Sequence, residues 1–268
     1  MKTVRGPYKI HGGKYYLCKW IIDHFPADYE HLHYVEPFFG AGNVFFNKTP
    51  ATGGKHEVVN DINNGIANIL YVLRDESEEF ISRLKKIKYN EKNFKLALEN
   101  QKTKDYFENA INEFILRRMS RDGLKKAFAW SNRQRGGIPG DVNAWKTIMK
   151  VLPSLSHRLN GSYIFNKPAT DIIKGFDSED TLIYCDPPYM PDTRVTPNAY
   201  EDEMTIEQHE ILLDALLKCK GKVIISGYPS SLYSKKLKGW KVVKNKIVNH
   251  SSQQKTKKLK TEVIWLNY

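Results

Sequence analysis

The chain has 268 residues, of which 41% are hydrophobic and 12% aromatic, a composition that excludes a disordered or fibrous protein. No run of residues approaches the roughly 20 apolar residues of a membrane span, and the first residues lack the apolar core of a secretory signal. A chain of this length forms one large domain, or one domain with an insertion, and we expect a soluble, cytoplasmic protein.

The net charge of +12 is concentrated in one part of the chain. Residues 215–261 contain thirteen lysines and no Asp or Glu, so the rest of the chain is close to neutral. A second basic segment, residues 117–146, has eight basic residues against two acidic ones. Either segment alone is compatible with a solvated face, but two that fold toward one cleft would bind a polyanion, of which nucleic acid is the natural example.

The first half of the chain begins with two strand-then-helix patterns. Residues 34–36 and 58–61 are short apolar stretches that end in an acidic residue, and we predict a helix near Asn43 after the first and over 65–73 after the second. Helical periodicity continues over 78–119, and 120–142 is polar, basic and typical of loops with a Gly-Gly turn. Residues 144–159 are predicted to be helical, with a kink or break at Pro153.

The second half alternates apolar strands and helices. Strands are predicted at 162–165, 181–185 and 222–226, a helix at 205–218, and a final hairpin from 240–248 and 262–267. This alternation predicts an α/β fold, a doubly wound and mostly parallel Rossmann-like sheet. Residues 1–88 and 160–268 would form the main domain, and residues 89–159 a helical, basic subdomain inserted into it.

Glycines and acidic residues stand where the predicted strands end. Glu36 is followed by Gly40 and Gly42, and Asp61 ends the next strand. Ligands of such sheets bind beyond the carboxyl ends of the strands, where glycines permit close backbone approach and an acidic residue can bind ribose hydroxyls. A dinucleotide site would have a third glycine where Phe45 stands, so an adenosine-containing ligand such as S-adenosylmethionine fits better.

The most specific signal is Asp186-Pro187-Pro188-Tyr189, directly after the strand 181–185. The prolines fix the backbone and remove N–H donors, which leaves the Asp186 carboxylate and the Pro187 carbonyl as two acceptors facing one point. Two acceptors suit an exocyclic amino group, and Tyr189 offers a flat face on which a base can stack.

The three cysteines, Cys18, Cys185 and Cys219, are far apart and form no CxxC pair. We therefore expect no disulfide framework and no metal site, but buried reduced thiols. Cys185 adjoins the proposed site, but its side chain should point opposite to that of Asp186, which argues against a nucleophile.

These motifs together resemble the Dam-like, alpha-group DNA adenine-N6 methyltransferases. The resemblance covers nearly the whole chain and rests on His11-Gly-Gly-Lys14, Glu36-Pro-Phe-Phe-Gly-Ala-Gly42, Asp186-Pro-Pro-Tyr189 and an insertion between the last two. It implies an enzyme that transfers a methyl group from S-adenosylmethionine to N6 of an adenine flipped out of duplex DNA, with no covalent enzyme intermediate.

The resemblance also implies residue roles. Lys14 and Ile10 would lie against the cofactor, Lys14 near its methionine carboxylate, and Tyr8 could replace the aromatic residue that relatives often have at position 10. Asp186, Pro187, Pro188 and Tyr189 would be catalytic. The cofactor residues would be Tyr8, Ile10, Lys14, Glu36, Phe38, Gly40, Gly42, Asp61, Ile62, Asp171 and Asp186.

DNA contacts are expected in the insertion and in the late lysine-rich loop. The candidates are Arg117, Arg121, Lys125, Lys126, Trp130, Asn132, Arg133, Arg135, Lys255, Lys257 and Lys258. The insertion differs from the recognition segment of GATC-specific relatives, so no recognition sequence is assigned, and its arginines could contact bases or only phosphates. A monomer is expected, and a cognate restriction endonuclease is a possible partner.

Two alternatives remain open from the sequence. An N4-cytosine or RNA amino-methyltransferase would use the same pair of acceptors. A noncatalytic nucleic-acid-binding relic of the fold would have no physical reason to retain both the Asp186 motif and the glycines.

Overall fold

The structure is a computed structural model that describes residues 3–131, 133–193, 201–248 and 259–268. These residues belong to two compact units. Unit 1 comprises Met1–Asp23, Gly40–Lys48 and Asp61–Asn166, and unit 2 comprises His24–Phe39, Thr49–Asn60 and Lys167–Tyr268. The predicted insertion, residues 89–159, lies entirely within unit 1. Among the described helices, none is long and apolar enough to cross a bilayer.

The described elements are numbered in chain order. The strands are β1 (His33–Glu36), β2 (Glu57–Asn60), β3 (Gln134–Arg135), β4 (Ile138–Pro139), β5 (Tyr163–Phe165), β6 (Thr181–Cys185), β7 (Lys222–Gly227), β8 (Lys241–Val248) and β9 (Leu259–Leu266). The helices are α1 (Cys18–Ile22), α2 (Asn64–Asp75), α3 (Ser77–Lys86), α4 (Glu91–Glu99), α5 (Tyr106–Met119), α6 (Gly140–Leu159), α7 (Ala169–Phe176), α8 (Ile206–Leu216) and α9 (Ser231–Lys236).

Unit 2 is built on a mostly parallel sheet with the strand order β2-β1-β6-β7-β9-β8. The strands β2, β1, β6 and β7 run parallel, whereas β9 is antiparallel to both β7 and β8. Every residue of β2 and β6 is buried, as expected for parallel strands covered on both faces. The predicted α/β class, its parallel strands and its final hairpin are therefore confirmed.

The strand order places a topological switch point at β1. From β1 the chain continues to β2 on one side of the strand, and β6 pairs with its other side. Ligands of open α/β sheets bind outside the carboxyl ends of the strands at such a point. Glu36 ends β1 and Asp186 follows β6, so these two of the predicted site residues in unit 2 stand beside this switch point.

Unit 1 is mainly helical. Its apolar core includes Phe80 of α3 and Phe114 of α5, whose rings pack edge to face at 5.6 Å between centroids. Three of its helices begin at a capping side chain that accepts a backbone N–H: Asn63 for α2, Asn90 for α4 and Asp105 for α5. Helix α2 confirms the helix predicted over 65–73, and α3, α4 and α5 confirm the helical periodicity predicted over 78–119.

Two sequence-based expectations about unit 1 are wrong. Residues 43–48 form turns rather than the predicted helix, and the side chain of Asn47 bonds the backbone of Val4, donating to its carbonyl and accepting from its N–H at 2.7 Å each. Helix α6 runs across Pro153 as one helix, so the predicted break is absent and only a kink remains as a prediction. The predicted Gly-Gly turn is present, since Gly136 and Gly137, both at positive φ, connect β3 to β4.

Candidate active site

Glu36 is buried at the carboxyl end of β1. Its Oε2 accepts a 2.7 Å hydrogen bond from the hydroxyl of Tyr34, and only 2% of Glu36 is exposed. Burial, and then the neighbouring Glu36, raise the pKa of Tyr34 well above its ordinary value, so Tyr34 remains the donor. Glu36 thus has a fixed orientation at the switch point.

Asp186 is half-buried directly after β6, and β7 holds its carboxylate. The hydroxyl of Ser226 donates to Asp186 Oδ1 at 2.7 Å, and Ser226 itself is 2% exposed. Pro187 is buried and Pro188 is half-buried. A short strand that stops at two prolines therefore presents an oriented carboxylate.

Tyr189 is held by the last strand of the sheet. Its hydroxyl donates to Glu262 Oε2 at 2.6 Å, and the ring of Tyr228 packs against it at 4.5 Å with an interplanar angle of 70°. The sequence predicts that Tyr189 offers a flat face for stacking, and only 5% of Tyr189 is exposed. The ring of Tyr189 is therefore largely covered in this structure.

The glycine turn lies in unit 1 and is held by Asp61. Gly40 has φ 53° and Gly42 has φ 64°, conformations that favour glycine. The N–H of Gly40 donates to Asp61 Oδ2 at 2.8 Å, and the N–H of Asn63 donates to Asp61 Oδ1 at 2.9 Å. Asp61 therefore connects the turn to the N-cap residue of helix α2, in addition to the ribose contact that the sequence predicts.

The N-terminal segment of unit 1 lies against the same turn. The hydroxyl of Tyr8 donates to the Gly40 carbonyl at 2.7 Å, and a Cβ at position 40 would lie 3.8 Å from Ile10 Cγ2. Lys14 is buried, and its Nζ donates to the Gly12 carbonyl at 3.0 Å. The structure thus brings together Tyr8, Ile10 and Gly40, as the sequence predicted, although Tyr8 is buried and supports the turn.

The remaining candidate cofactor residues differ in exposure. Ile62 is 52% exposed next to Asp61 in unit 1. In unit 2, Phe38 is half-buried after β1, and Asp171 is exposed in the first turn of α7.

Two predicted DNA-binding residues pair with the buried carboxylate of Glu113 in unit 1. Arg117, 2% exposed, donates to Glu113 at 3.1 Å and to the side chain of Asn63 at 3.2 Å. Lys125 donates to the other oxygen of Glu113 at 2.7 Å, and its side chain is 11% exposed. Because Arg117 is buried against this carboxylate, we correct its assignment from DNA contact to structural ion pair, whereas the partly exposed Lys125 stays a predicted DNA contact.

Other candidates in the insertion remain on the surface. Arg121, Lys126 and Arg133 are exposed, and Trp130 is 53% exposed. Arg135 lies in β3, but its side chain is not described. Asn132, Lys255, Lys257 and Lys258 lie outside the described residues.

Sequence reasoning missed Ser226 and Glu262, which contact Asp186 and Tyr189. Ser226 directly follows the apolar run 223–225 of β7, and Glu262 directly precedes the apolar run 263–266 of β9. A buried polar group needs a partner, so a polar residue adjoining a buried apolar run was the signal that could have identified them.

Two features define the class of amino-methyltransferases with an α/β fold. One is a parallel sheet with an Asp-Pro-Pro-Tyr motif at its switch point, and the other is a glycine turn held by an aspartate. The comparisons with known proteins agree. The model of the D12 class N6 adenine-specific DNA methyltransferase family matches residues 11–261, and the chain belongs to this family.

Several curated relatives match this chain over most of its length and most of their own. The DNA adenine methylase of Escherichia coli K12 is 27% identical over 87% of this chain and 84% of its own. The DNA adenine methylase of Haemophilus influenzae is 25% identical over 94% of this chain and 89% of its own. Among solved structures, the rRNA methyltransferase aviRa from Streptomyces viridochromogenes matches at 11% identity and a TM-score of 0.31, over 88% of this chain and 75% of that one.

The family decides between the alternatives left by the sequence. The chain is an adenine-specific DNA methyltransferase that methylates N6 of adenine in DNA. The cytosine, RNA and noncatalytic interpretations are not supported.

Proposed function

We propose that this enzyme takes its methyl group from S-adenosylmethionine, held by the glycine turn of unit 1. The residues present fit that ligand, because Gly40 at positive φ permits close approach and the exposed Ile62 beside Asp61 offers an apolar face to an adenine ring. Lys14 is a buried cation suited to a carboxylate. When bound, S-adenosylmethionine supplies a methyl group on a positively charged sulfur.

The observation that carries the proposal is the position of Asp186 at the carboxyl end of β6, with its carboxylate oriented by Ser226. The carboxylate and the Pro187 carbonyl would accept the two N–H groups of the target amino group. This alignment would direct the nitrogen lone pair toward the methyl group, and Asp186 would be placed to take the proton that N6 loses.

The target adenine must leave the duplex to reach these acceptors. We propose that it flips and stacks on Tyr189 after a neighbouring side chain moves aside, and Tyr228, whose ring lies 4.5 Å away between centroids, is the candidate. Base–aromatic stacking contributes about 1–3 kcal/mol per base, enough to offset part of the unstacking cost.

Replacing Asp186 tests the proposal. We expect Asp186→Ala to lose at least about 100-fold in kcat while its affinities for DNA and S-adenosylmethionine stay within about threefold of the wild type. A matched control is Asp214→Ala, which removes an exposed carboxylate paired with Lys236 on the surface of α8 and should leave kcat unchanged. Full activity of Asp186→Ala would contradict the mechanism.

Sequence recognition is proposed for the exposed basic residues of the insertion. Arg121 and Arg133 can read base edges, and Trp130 can contact a base or a sugar. Loss of methylation in Arg133→Ala, with nonspecific DNA binding intact, would support base reading by this residue. An unchanged site preference would restrict Arg133 to the phosphates.

We further propose that the chain acts on duplex DNA as a monomer, alone or as the modification half of a restriction system. The family supports DNA as the substrate, and one predicted site per chain supports action as a monomer. Sedimentation of the active enzyme with DNA tests the stoichiometry. Protection of host DNA from a cognate endonuclease tests the restriction role.

A further inference from the structure

The two ends of the Asp186–Tyr189 motif are each held by a buried side chain from a later strand of unit 2. Ser226 of β7 bonds the carboxylate of Asp186 at 2.7 Å, and Glu262 of β9 bonds the hydroxyl of Tyr189 at 2.6 Å. Ser226 is 2% and Glu262 is 5% exposed. Both polar groups therefore lie inside the sheet, where a hydrogen bond must compensate for their burial.

Ser226 lies beside Asp186 because of the strand register. Strands β6 and β7 are parallel, with Cys185 opposite Ile225. The residues that follow these two, Asp186 and Ser226, therefore lie side by side. The single hydroxyl hydrogen of Ser226 has two acceptors in reach, the Cys185 carbonyl at 3.3 Å and Asp186 Oδ1 at 2.7 Å. The shorter contact, to a carboxylate, is the stronger.

Tyr184 extends this chain of hydrogen bonds. Its hydroxyl lies 3.5 Å from Ser226 Oγ, and burial, followed by the charge of Asp186, raises the pKa of Tyr184 well above its ordinary value. Tyr184 therefore stays protonated and can donate to Ser226, which in turn donates to Asp186. A donor held in this way fixes the rotation of the Asp186 carboxylate about its Cβ–Cγ bond.

Glu262 fixes the far end of the tyrosine ring. The backbone of Tyr189 follows the rigid Pro188, and its hydroxyl is bonded to Glu262, so both ends of the side chain are constrained. Lys260, from the same strand as Glu262, donates to the hydroxyl of Tyr228 at 3.3 Å. Strand β9 thus contacts both tyrosines of the pair.

We propose that Ser226 and Glu262 are positioning residues for methyl transfer, with separate tasks. Ser226 orients the carboxylate that receives the amino group, and Glu262 orients the ring that receives the base. The proposal rests on the proposed function, because it presupposes that Asp186 and Tyr189 contact the target adenine.

The test for Ser226 is a split between chemistry and binding. We expect Ser226→Ala to lower kcat by about 10- to 100-fold, the effect of one charge-assisted hydrogen bond, with KM for S-adenosylmethionine and for DNA within about twofold. Ser226→Thr, which keeps the hydroxyl, should recover at least a third of kcat. Ser226→Cys, which keeps the size but donates weakly, should behave like Ser226→Ala and replaces that variant if it fails to fold.

Ser230→Ala is the matched control. Ser230 is also a buried serine of unit 2, and its Oγ caps helix α9 by accepting the N–H of Tyr233. Its removal should lower the melting temperature as a lost helix cap does while kcat stays unchanged. Equal losses of kcat in Ser226→Ala and Ser230→Ala would reduce Ser226 to a structural role and overturn its part of the proposal.

The test for Glu262 measures base flipping. With 2-aminopurine at the target position of a mapped site, we expect Glu262→Ala to lower the equilibrium constant for flipping about tenfold, because a misaligned Tyr189 loses stacking. Glu262→Gln retains an acceptor and should restore flipping to within about threefold. Unchanged flipping in Glu262→Ala would overturn this part.

Activity of the wild-type enzyme distinguishes failure of the proposed function from failure of the two positioning roles. If it transfers no methyl group to DNA, the proposed function fails. If it is active and the Ser226 and Glu262 variants match it in kcat and flipping, only the positioning roles fail.

Discussion

The buried carboxylate of Glu113 gives a quantitative prediction about unit 1. It pairs with Arg117 and Lys125, and the exposed fractions of the three side chains are 7%, 3% and 11%. Replacing Glu113 with Ala leaves two buried cations without this carboxylate, and removing one partner of a buried pair typically costs about 3–5 kcal/mol. We expect the free energy of unfolding to fall by about that amount.

The loss should also extend to cofactor binding. Arg117 donates to Asn63, whose side chain caps α2 and whose N–H donates to Asp61. Because Asp61 holds the glycine turn, Glu113→Ala should weaken binding of S-adenosylmethionine as well as folding. Sequence reasoning that counted Arg117 as a DNA contact would instead predict an effect on DNA affinity alone.

Thermal and urea unfolding measure the loss of stability, and titration calorimetry with S-adenosylmethionine measures the loss of cofactor affinity. At about 2–4 °C per kcal/mol, the melting temperature should fall by roughly 6–20 °C. Glu108→Ala is the matched control, since Glu108 lies on the same helix α5 and pairs with Arg83 at 44% and 36% side-chain exposure. It should cost at most about 1 kcal/mol, and a Glu113→Ala cost equally small would refute the reasoning.

Three further predictions follow from burial and charge. Burial raises the pKa of the Cys18 and Cys185 thiols and raises that of Cys219 to about 12. Ellman's reagent at pH 8 should therefore detect fewer than one thiol per native chain and three after denaturation. Rapid labelling of the native protein with loss of activity would contradict the burial of these thiols. A Cβ at Gly6 would lie 1.9 Å from the Ala41 carbonyl beside the glycine turn, so Gly6→Ala should weaken cofactor binding at least about tenfold in calorimetry, and wild-type affinity would contradict this contact. DNA affinity should fall at least about tenfold between 50 and 200 mM salt in fluorescence anisotropy, and salt-independent binding would contradict the polyanion interpretation of the basic segments.

The strands that carry the site could be predicted from the sequence because their signals are local. Thr181–Cys185 is an unbroken apolar run that stops at Asp186, and the structure gives the strand the same bounds. The paired glycines Gly40 and Gly42 likewise take the positive φ angles that a tight turn requires. In both cases the residues that determine the structure are adjacent in the chain.

The contacts that orient the site could not be predicted because they join distant residues. Ser226 is 40 positions from Asp186, and Glu262 is 73 positions from Tyr189. Only the register of β7 and β9 in the sheet brings them together.

Charge counts failed for Arg117 for the same physical reason. A cation in a basic segment resembles a DNA contact until its burial is known, and Glu113 lies four residues earlier on the same helix face. That i,i+4 acidic partner was a local indication of an ion pair. Arg121 and Arg133 are exposed and remain predicted DNA contacts.

The central claim is methyl transfer to N6 of adenine in DNA, and it is tested most directly by incubating the protein with labelled S-adenosylmethionine and unmethylated duplex DNA. Nucleoside analysis and single-molecule mapping of the product should show N6-methyladenine at one short motif, and Asp186→Ala should abolish it. N4-methylcytosine as the product, or no transfer to DNA by a protein that binds both substrates, would contradict the account.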